Sequence, residues 1–562
     1  MRSLFCIYNL QVTNNTYGDF MKRKNSINFF AKRSALCFIL IVSLFLSAVL
    51  RVSIISMGKY NEANSNYTTY KKINVSRLRG TIYDCNMVPI TNSKAKLIAA
   101  VSATPNAIIA ISSQLDSKSR KDVLDELKKN FPVVCTVDNP IKCDGITTTQ
   151  VYNNSDNNLP ACHIIGYTDS TGHGVTGLQR AYDDLLYSEE WVKAVFEVNG
   201  KGQALRGIKP FFENNTSVVN DGVVTTIDIN IQKAVDEICT QLNSGCVVVA
   251  DAKNGKIRAL SSAPTFEINN LAQSLNKSNS PMINRALSVF NVGSVFKPCV
   301  AAAAIEGGFS YHRFNCEGKL KILDRDFRCH KLTGHGEMNL CDSLAQSCNC
   351  FFYDVAIKMG GKKIYNKASS LSISSDIYIA DNLYAKKGSL PITESLENQG
   401  TLANFSIGQG NLTASPIAVL NLYLAIAGDG SYRLPSIVEM TIKNGKKNEY
   451  ILQNPTRVMS ESTAKTLREY LKSVITEGTG EEAKPQFVSA AGKTSTAQTG
   501  RYYENGQEIT NSWFCGFFPA DNPQYVVVAM SDSHSNVSTA SIFAQIADSI
   551  YELKYKNVEI ED

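Results

Sequence analysis

The sequence predicts an α+β protein: a single N-terminal transmembrane helix, an elongated pedestal (dimerisation-like) domain, and a larger domain with a central antiparallel sheet flanked by helices. Three observations carry this. Residues 34–50 are uncharged and mostly apolar, the texture of the chain changes near residue 220, and strand hairpins with adjoining helices stand at both ends of the part that follows.

The apolar run covers 17 residues and is extended past Arg51 by residues 52–57. At about 1.5 Å per residue it reaches about 25 Å, enough to cross a thin hydrocarbon core if Arg51 snorkels to the interface. No A-x-A cleavage site follows, so an uncleaved anchor over 34–57 is expected in place of a signal peptide. Lys22, Arg23, Lys24, Lys32 and Arg33 precede it, which places residues 1–33 as a disordered cytoplasmic tail and everything after the anchor outside the cell membrane.

Residues 58–218, the expected pedestal, mix Asn/Ser/Asp-rich loops (153–159) with a charged helical segment (117–130) and few long apolar runs. From residue 219 to 562 the pattern is that of a dense globular domain. It begins with a strand (VVTTID), an amphipathic helix over 230–242, and two strands about a Lys253-Asn254-Gly255 turn. It closes with a strand over 512–518, a turn over 519–524, a strand over 525–530 and a helix over 540–555, leaving no expected room for C-terminal repeat modules.

Lys and Arg (57) are scattered among nearly as many Asp and Glu (51), so a net charge of +6 leaves no basic footprint for nucleic acid. Of fifteen cysteines, thirteen follow the apolar run, an odd number. Spacing favours bridges Cys135–Cys143 and Cys316–Cys329, subject to geometry. A zinc reading of Cys316, Cys329, His330 and His335 is set aside, because the histidines lie in a Gly-containing loop without a paired C-x-x-C; no metal and no cofactor is expected.

Three short signatures carry chemistry: Ser294-Val295-Phe296-Lys297, Ser347-Cys348-Asn349 and Lys493-Thr494-Ser495. Ser294 and Lys297 share a face if a helix starts near Ser294 and continues through the Ala-rich run. Serine needs a base, and lysine serves once burial and a neighbouring positive charge, here that of Lys493, lower its pKa. Ser347 would relay a proton to a leaving amine, while the Asn349 amide holds a substrate peptide group; a second role for Ser347 is to cap the apolar helix that follows, with Cys348 and Cys350 as small packing residues. Lys493 is the cationic anchor for a carboxylate. Thr494, Ser495 and Thr496 lie on the same expected edge strand as substrate-binding positions, and the N–H groups of Ser294 and Thr496 form an oxyanion hole worth roughly 3 to 4 kcal/mol per donor.

From Arg79 onward the chain resembles a class B penicillin-binding protein, the bitopic cell-division and sporulation type. Beyond the three signatures, the likeness rests on Arg79-Gly80-Thr81-Ile82-Tyr83-Asp84, His163-Ile164-Ile165-Gly166, Gly174-Val175-Thr176-Gly177-Leu178-Gln179, Asn284-Arg285-Ala286, Ser406-Ile407-Gly408-Gln409-Gly410 and Trp513-Phe514-Cys515-Gly516-Phe517-Phe518-Pro519. It implies a peptidoglycan D,D-transpeptidase with D-Ala-D-Ala stem peptides as acyl donor, a second stem's amine as acceptor, β-lactams as covalent inhibitors of Ser294, and a membrane glycosyltransferase as partner.

Four positions depart from the family pattern: Val292-Gly293 for Pro-Gly, Ser495 for the glycine of K-T-G, Gln179 for Glu, and Cys85 for Arg. Ser495 matters most, since its Cβ and hydroxyl would either crowd a substrate backbone or donate a hydrogen bond. Retained acylation with altered β-lactam affinity is expected. A β-lactamase would need neither anchor nor pedestal, and a membrane-bound sensor would have several spans. The alternative is a catalytically weak penicillin-binding scaffold for a glycosyltransferase, against which the intact Ser294, Lys297, Ser347, Asn349 and Lys493 stand.

Overall fold

The computed structural model describes residues 31–54, 69–115, 117–152, 159–205, 207–214 and 221–556. Most of the expected cytoplasmic tail, the end of the expected anchor at 55–57, the polar loop at 153–158 and the expected boundary at 218 lie outside them. The apolar run forms one helix, Ala31–Ile54, of 24 residues and mean hydropathy 2.6, none of it buried in the protein. At about 1.5 Å per residue it is about 36 Å long, sufficient for a hydrocarbon core, and it makes the chain a single-pass membrane protein. It starts three residues earlier than expected and so takes in Lys32 and Arg33.

Two three-stranded antiparallel sheets follow. One orders Thr69–Arg79, Tyr187–Val198 and Phe211–Glu213, and the other places Ala95–Val101 between Val133–Val137 and Ile146–Tyr152. The Ala95–Val101 strand serves two cores by alternation. Ala99 and Val101 pack with Ala107, Ile111, Val123 and Leu127 of the helices Pro105–Ser112 and Ser117–Lys128, whereas Ile98 and Ala100 meet Val192, Ala194, Phe196 and Phe212 of the first sheet. Arg79 ends the first strand and is buried. Its guanidinium donates to Gln179 Oε1 at 2.6 Å, Gly172 O at 2.8 Å, Gln179 O at 3.0 Å and Asp183 Oδ1 at 2.9 Å. The neutral Gln179 is thus matched by a carboxylate four residues on. The short strand Thr81–Tyr83 then pairs in parallel with Gly222–Thr225, which pairs antiparallel with Val438–Lys443, joining the N-terminal layers to the rest of the chain. A cavity of about 280 Å³, lined by Arg77, Arg79, Tyr83 and Tyr152, lies beside this junction and away from the three signatures.

The central sheet is fully antiparallel, in the order Ile257–Ala263, Gly245–Asp251, Tyr525–Ser531, Glu508–Phe518, Ala491–Tyr502. Both faces are covered, so its inner strands read as near-continuous apolar runs. Val247, Val249, Val527 and Ala529 face the helices Ile229–Cys239 and Thr539–Tyr551, while Val248, Ala250, Val526 and Val528 face the large core containing Pro416–Ala427. Every residue of that last helix is buried, and Ser415 caps it by accepting from the Ala418 N–H at 3.2 Å. The strand bearing Lys493 sits at the sheet edge, which leaves one side of it open toward the site.

Replacing Arg79 by Met should cost about 2 to 4 kcal/mol, because Gln179 and Asp183 lose a buried donor. Urea unfolding read by Trp191 fluorescence in a Trp513→Phe background checks it, and an unchanged midpoint would contradict the role given to Arg79.

Candidate functional site

The chain enters the site through Asn291-Val292-Gly293. Gly293 has φ +66°, and a Cβ there would overlap Ser495 Oγ and lie 3.0 Å from Ala497 Cβ, so both conformation and space require glycine. A 3₁₀ turn, Gly293–Phe296, passes directly into the helix Lys297–Glu306, with Pro298 in its first turn where a missing N–H is harmless. The expected α-helix from Ser294 is therefore a 3₁₀ turn at first, and in that geometry residues three apart eclipse one another. Ser294, half-buried, and Lys297 accordingly share a face.

Lys297 is fully buried. Its Nζ donates to Ser347 O at 2.7 Å and Asn349 Oδ1 at 2.7 Å, with Ser347 Oγ at 3.2 Å. Burial lowers its pKa to about 8, only partly opposed by nearby thiols. A neutral amine has two N–H donors, which the two acceptor oxygens take up, and a lone pair left to accept a proton.

Ser347 does not cap a helix. It precedes Cys348, the N-cap residue of Asn349–Met359, which makes no side-chain cap bond. Ser347 instead adopts φ +54°, held by its N–H to Leu344 O at 3.2 Å and by the Cys348 N–H to Ser343 O at 2.9 Å. That left-handed residue turns both its carbonyl and its hydroxyl toward Lys297. Asn349, at the first helical position, is fixed by Lys297 and by its own N–H to Cys329 Sγ at 3.4 Å.

Lys493, also fully buried, lies on the edge strand opposite Cys515. Its Nζ has long contacts to Thr494 O (3.3 Å), Thr494 Oγ1 (3.4 Å) and Thr479 Oγ1 (3.4 Å). Burial pushes its pKa well below the usual lysine range, and Lys297 pushes it further. Burial is the larger cause for both amines, and the repulsion between them, which is mutual, adds to it. Thr494 is half-buried and its hydroxyl meets that of Thr479 at 2.9 Å. Thr496 is exposed on the same strand. Ser495 is 6% exposed and donates to Val292 O at 2.9 Å, a partner within the chain and neither of the two roles toward a substrate backbone expected from sequence. Thr479 and Tyr423, whose hydroxyl donates to Val295 O at 3.0 Å, were missed from sequence; neither lies in a recognisable pattern.

The cysteines overturn a second expectation. The described cysteines are all free, Cys135, Cys143, Cys316 and Cys329 included. Cys316, Cys329 and Cys348 instead gather with His335, their ligand atoms all within 4.8 Å of one another. His335 Nδ1 is 3.6 Å from both Cys316 Sγ and Cys329 Sγ, and Cys329 Sγ is 4.0 Å from Cys348 Sγ. Bonds of about 2.3 Å to sulfur and 2.0 to 2.1 Å to nitrogen give a tetrahedron with edges of about 3.5 to 3.8 Å, so the set fits a structural zinc ion. Cys348, assigned to packing from sequence, takes the place given to His330, whose Nδ1 lies 3.9 Å from Cys329 Sγ. A Cys₃His donor set thus lies one residue from Ser347, where no metal was expected from sequence.

Residues 245–552 match the family model for the penicillin-binding protein transpeptidase domain. The stage V sporulation protein D of Bacillus subtilis (strain 168) is 28% identical over 400 residues, covering 66% of this chain and 58% of the relative. The peptidoglycan D,D-transpeptidase MrdA of Escherichia coli (strain K12) is 23% identical, covering 94% of this chain and 96% of the relative. The chain thus spans only about 58% of the length of the sporulation protein. Penicillin-binding protein 3 of Mycobacterium tuberculosis, solved with aztreonam, superposes with a TM-score of 0.62 at 23% identity, over 87% of this chain and 98% of that one.

Metal analysis of protein purified without chelator should find about one zinc per chain, and Cys316→Ser with His335→Ala should remove it and lower Tm by several degrees. Metal-free protein with the wild-type Tm would contradict the fit.

Proposed function

The chain belongs to the penicillin-binding protein transpeptidase family, and we propose that it is a membrane-anchored D,D-transpeptidase that cross-links peptidoglycan stem peptides through an ester on Ser294. The observation that carries this reading is the buried Lys297 amine, depressed to about 8 and directed at Ser347 and Asn349 one turn from Ser294.

In this reading Ser294 Oγ attacks the carbonyl of the penultimate D-alanine and its proton passes to Lys297. The N–H groups of Ser294 and Thr496 receive the developing oxyanion. Ser347, already 3.2 Å from Lys297 Nζ, relays the proton to the leaving D-alanine amine as the C–N bond breaks. The Asn349 amide holds the donor peptide, and Thr494 and Thr496 line the strand edge along which it lies. A second stem's amine then attacks the ester and the protons return by the same route. Lys493 meets the substrate carboxylate, which restores to the lysine the charge that burial disfavours. A β-lactam presents the same carbonyl and carboxylate and leaves a stable ester. A zinc ion held by Cys316, Cys329, Cys348 and His335 would fix Cys348 and so the Ser347–Asn349 turn, and no proton or acyl step passes through it. Lys32 and Arg33 at the start of the anchor support a cytoplasmic N-terminus with the site outside the membrane, and a membrane glycosyltransferase is the partner that the family resemblance implies.

A fluorescent penicillin should label full-length protein in detergent, and Ser294→Ala should abolish labelling at unchanged Tm. Labelling of the Ala variant, or none of folded wild type, would overturn the reading. Acylation should also depend on Lys297 being neutral. The rate constant should rise about tenfold per pH unit below pH 8 and level off above it, since protonation removes the base as pH falls. Stopped-flow rates from pH 6 to 9.5 check the slope, and a flat profile would contradict it.

A further inference from the structure

Ser495 occupies a position that the reaction above does not use. Its hydroxyl is turned away from the cleft and donates to Val292 O at 2.9 Å. That carbonyl belongs to the same peptide plane as the Gly293 N–H, which donates to Gly408 O at 2.9 Å. The peptide immediately before Ser294 is therefore held at both ends, by a side chain from the edge strand and a backbone carbonyl from Ser406-Ile407-Gly408. The neighbouring peptides are tied separately: Trp513 Nε1 donates to Asn291 O at 2.9 Å and Tyr423 OH to Val295 O at 3.0 Å.

This peptide is the one best able to rotate. Glycine accepts either sign of φ at little cost, so a flip of the 292–293 plane needs only compensating changes at Val292 ψ and Gly293 φ, now −52° and +66°. Rotation there that the two torsions do not fully compensate shifts the start of the turn and re-aims the next residue, Ser294. Ser495 opposes it twice. Its hydroxyl satisfies the carbonyl in a place that is 6% exposed, where water is a poor substitute. Its Oγ also fills the space above Gly293 that a glycine at 495 would leave empty.

We propose that Ser495 is a positioning residue that locks the Val292–Gly293 peptide and so fixes the aim of Ser294. The proposal rests on the reading of Ser294 as nucleophile. Since the side chain faces the turn and not the cleft, it acts on the acylation step and not on initial binding.

The test uses full-length protein in detergent and a fluorescent penicillin under stopped-flow conditions, which separates the dissociation constant of the first complex from the acylation rate constant. Ser495→Ala and Ser495→Gly should each lower the rate constant about tenfold, with the dissociation constant within twofold of wild type and a full burst amplitude. Ser495→Thr, which keeps the hydroxyl, should recover most of the rate. The rise of rate with pH should keep its midpoint, because Lys297 is untouched. Equal acylation rate constants in wild type and the Ala and Gly variants would overturn the proposal while leaving the nucleophile reading intact. A loss of burst amplitude at an unchanged rate constant would overturn it too, as misfolding and not positioning. A wild type that folds but never acylates would overturn both. A stability cycle gives a readout independent of acylation: Gly293→Ala should lower Tm by several degrees more in wild type than in the Ser495→Gly background, and equal losses would show that the two side chains do not meet.

Discussion

Burial of two lysine amines in one cleft is the constraint on which the rest depends. An ammonium removed from water loses its hydration, and two in one low-dielectric space also repel each other. Lys297 answers that penalty with a pKa lowered to about 8, so that it gives up its proton far more readily than an exposed lysine while its N–H groups meet the Ser347 carbonyl and the Asn349 side chain. Lys493, with only long contacts to hydroxyl and carbonyl oxygens, is poised to take a proton when an anion arrives. One amine is thus made a base and the other a latent cation by surroundings alone.

Holding these groups still takes several elements. The 3₁₀ turn eclipses Ser294 with Lys297, left-handed Ser347 points two oxygens at the amine, and the edge strand lends its open side. Each is a conformation that costs something locally and persists because neighbours over-determine it. The Cys₃His set lies against the same turn through Cys348 and through the Cys329 thiol, which receives the Asn349 N–H. Structural and reactive parts therefore share a boundary one residue wide.

Much of the central sheet was legible in the sequence, since its strands are apolar runs bounded by Asn-Gly and Pro-containing turns, and its flanking helices carry a clear 3.6-residue period. The strands before residue 220 were not. Thr69–Arg79 alternates Lys, Asn and Arg with single apolar residues, and Ile146–Tyr152 is rich in Thr, so half-buried strands passed for loop. The three signatures identified which residues the fold gathers, yet not how. A serine before an apolar run reads as a helix N-cap, and its residue type gives no sign of the left-handed backbone that Ser347 adopts. The Cys₃His set was hidden because Cys348 stands in a motif whose other residues already had a role, and because short-range spacing favoured a Cys316–Cys329 bridge. Composition likewise showed the sign of every charge but not that Lys297 and Lys493 would be the buried ones.

The ionisation of Lys297 is the quantity from which base, relay and anchor all follow. With ¹³C-labelled lysine, NMR titration of the Cε resonances in wild type and in Lys297→Arg tests it directly. The account predicts that one resonance absent from the variant titrates near pH 8, far below the solvent-exposed lysines. A Lys297 signal that titrates with the exposed lysines near 10.5 would contradict it.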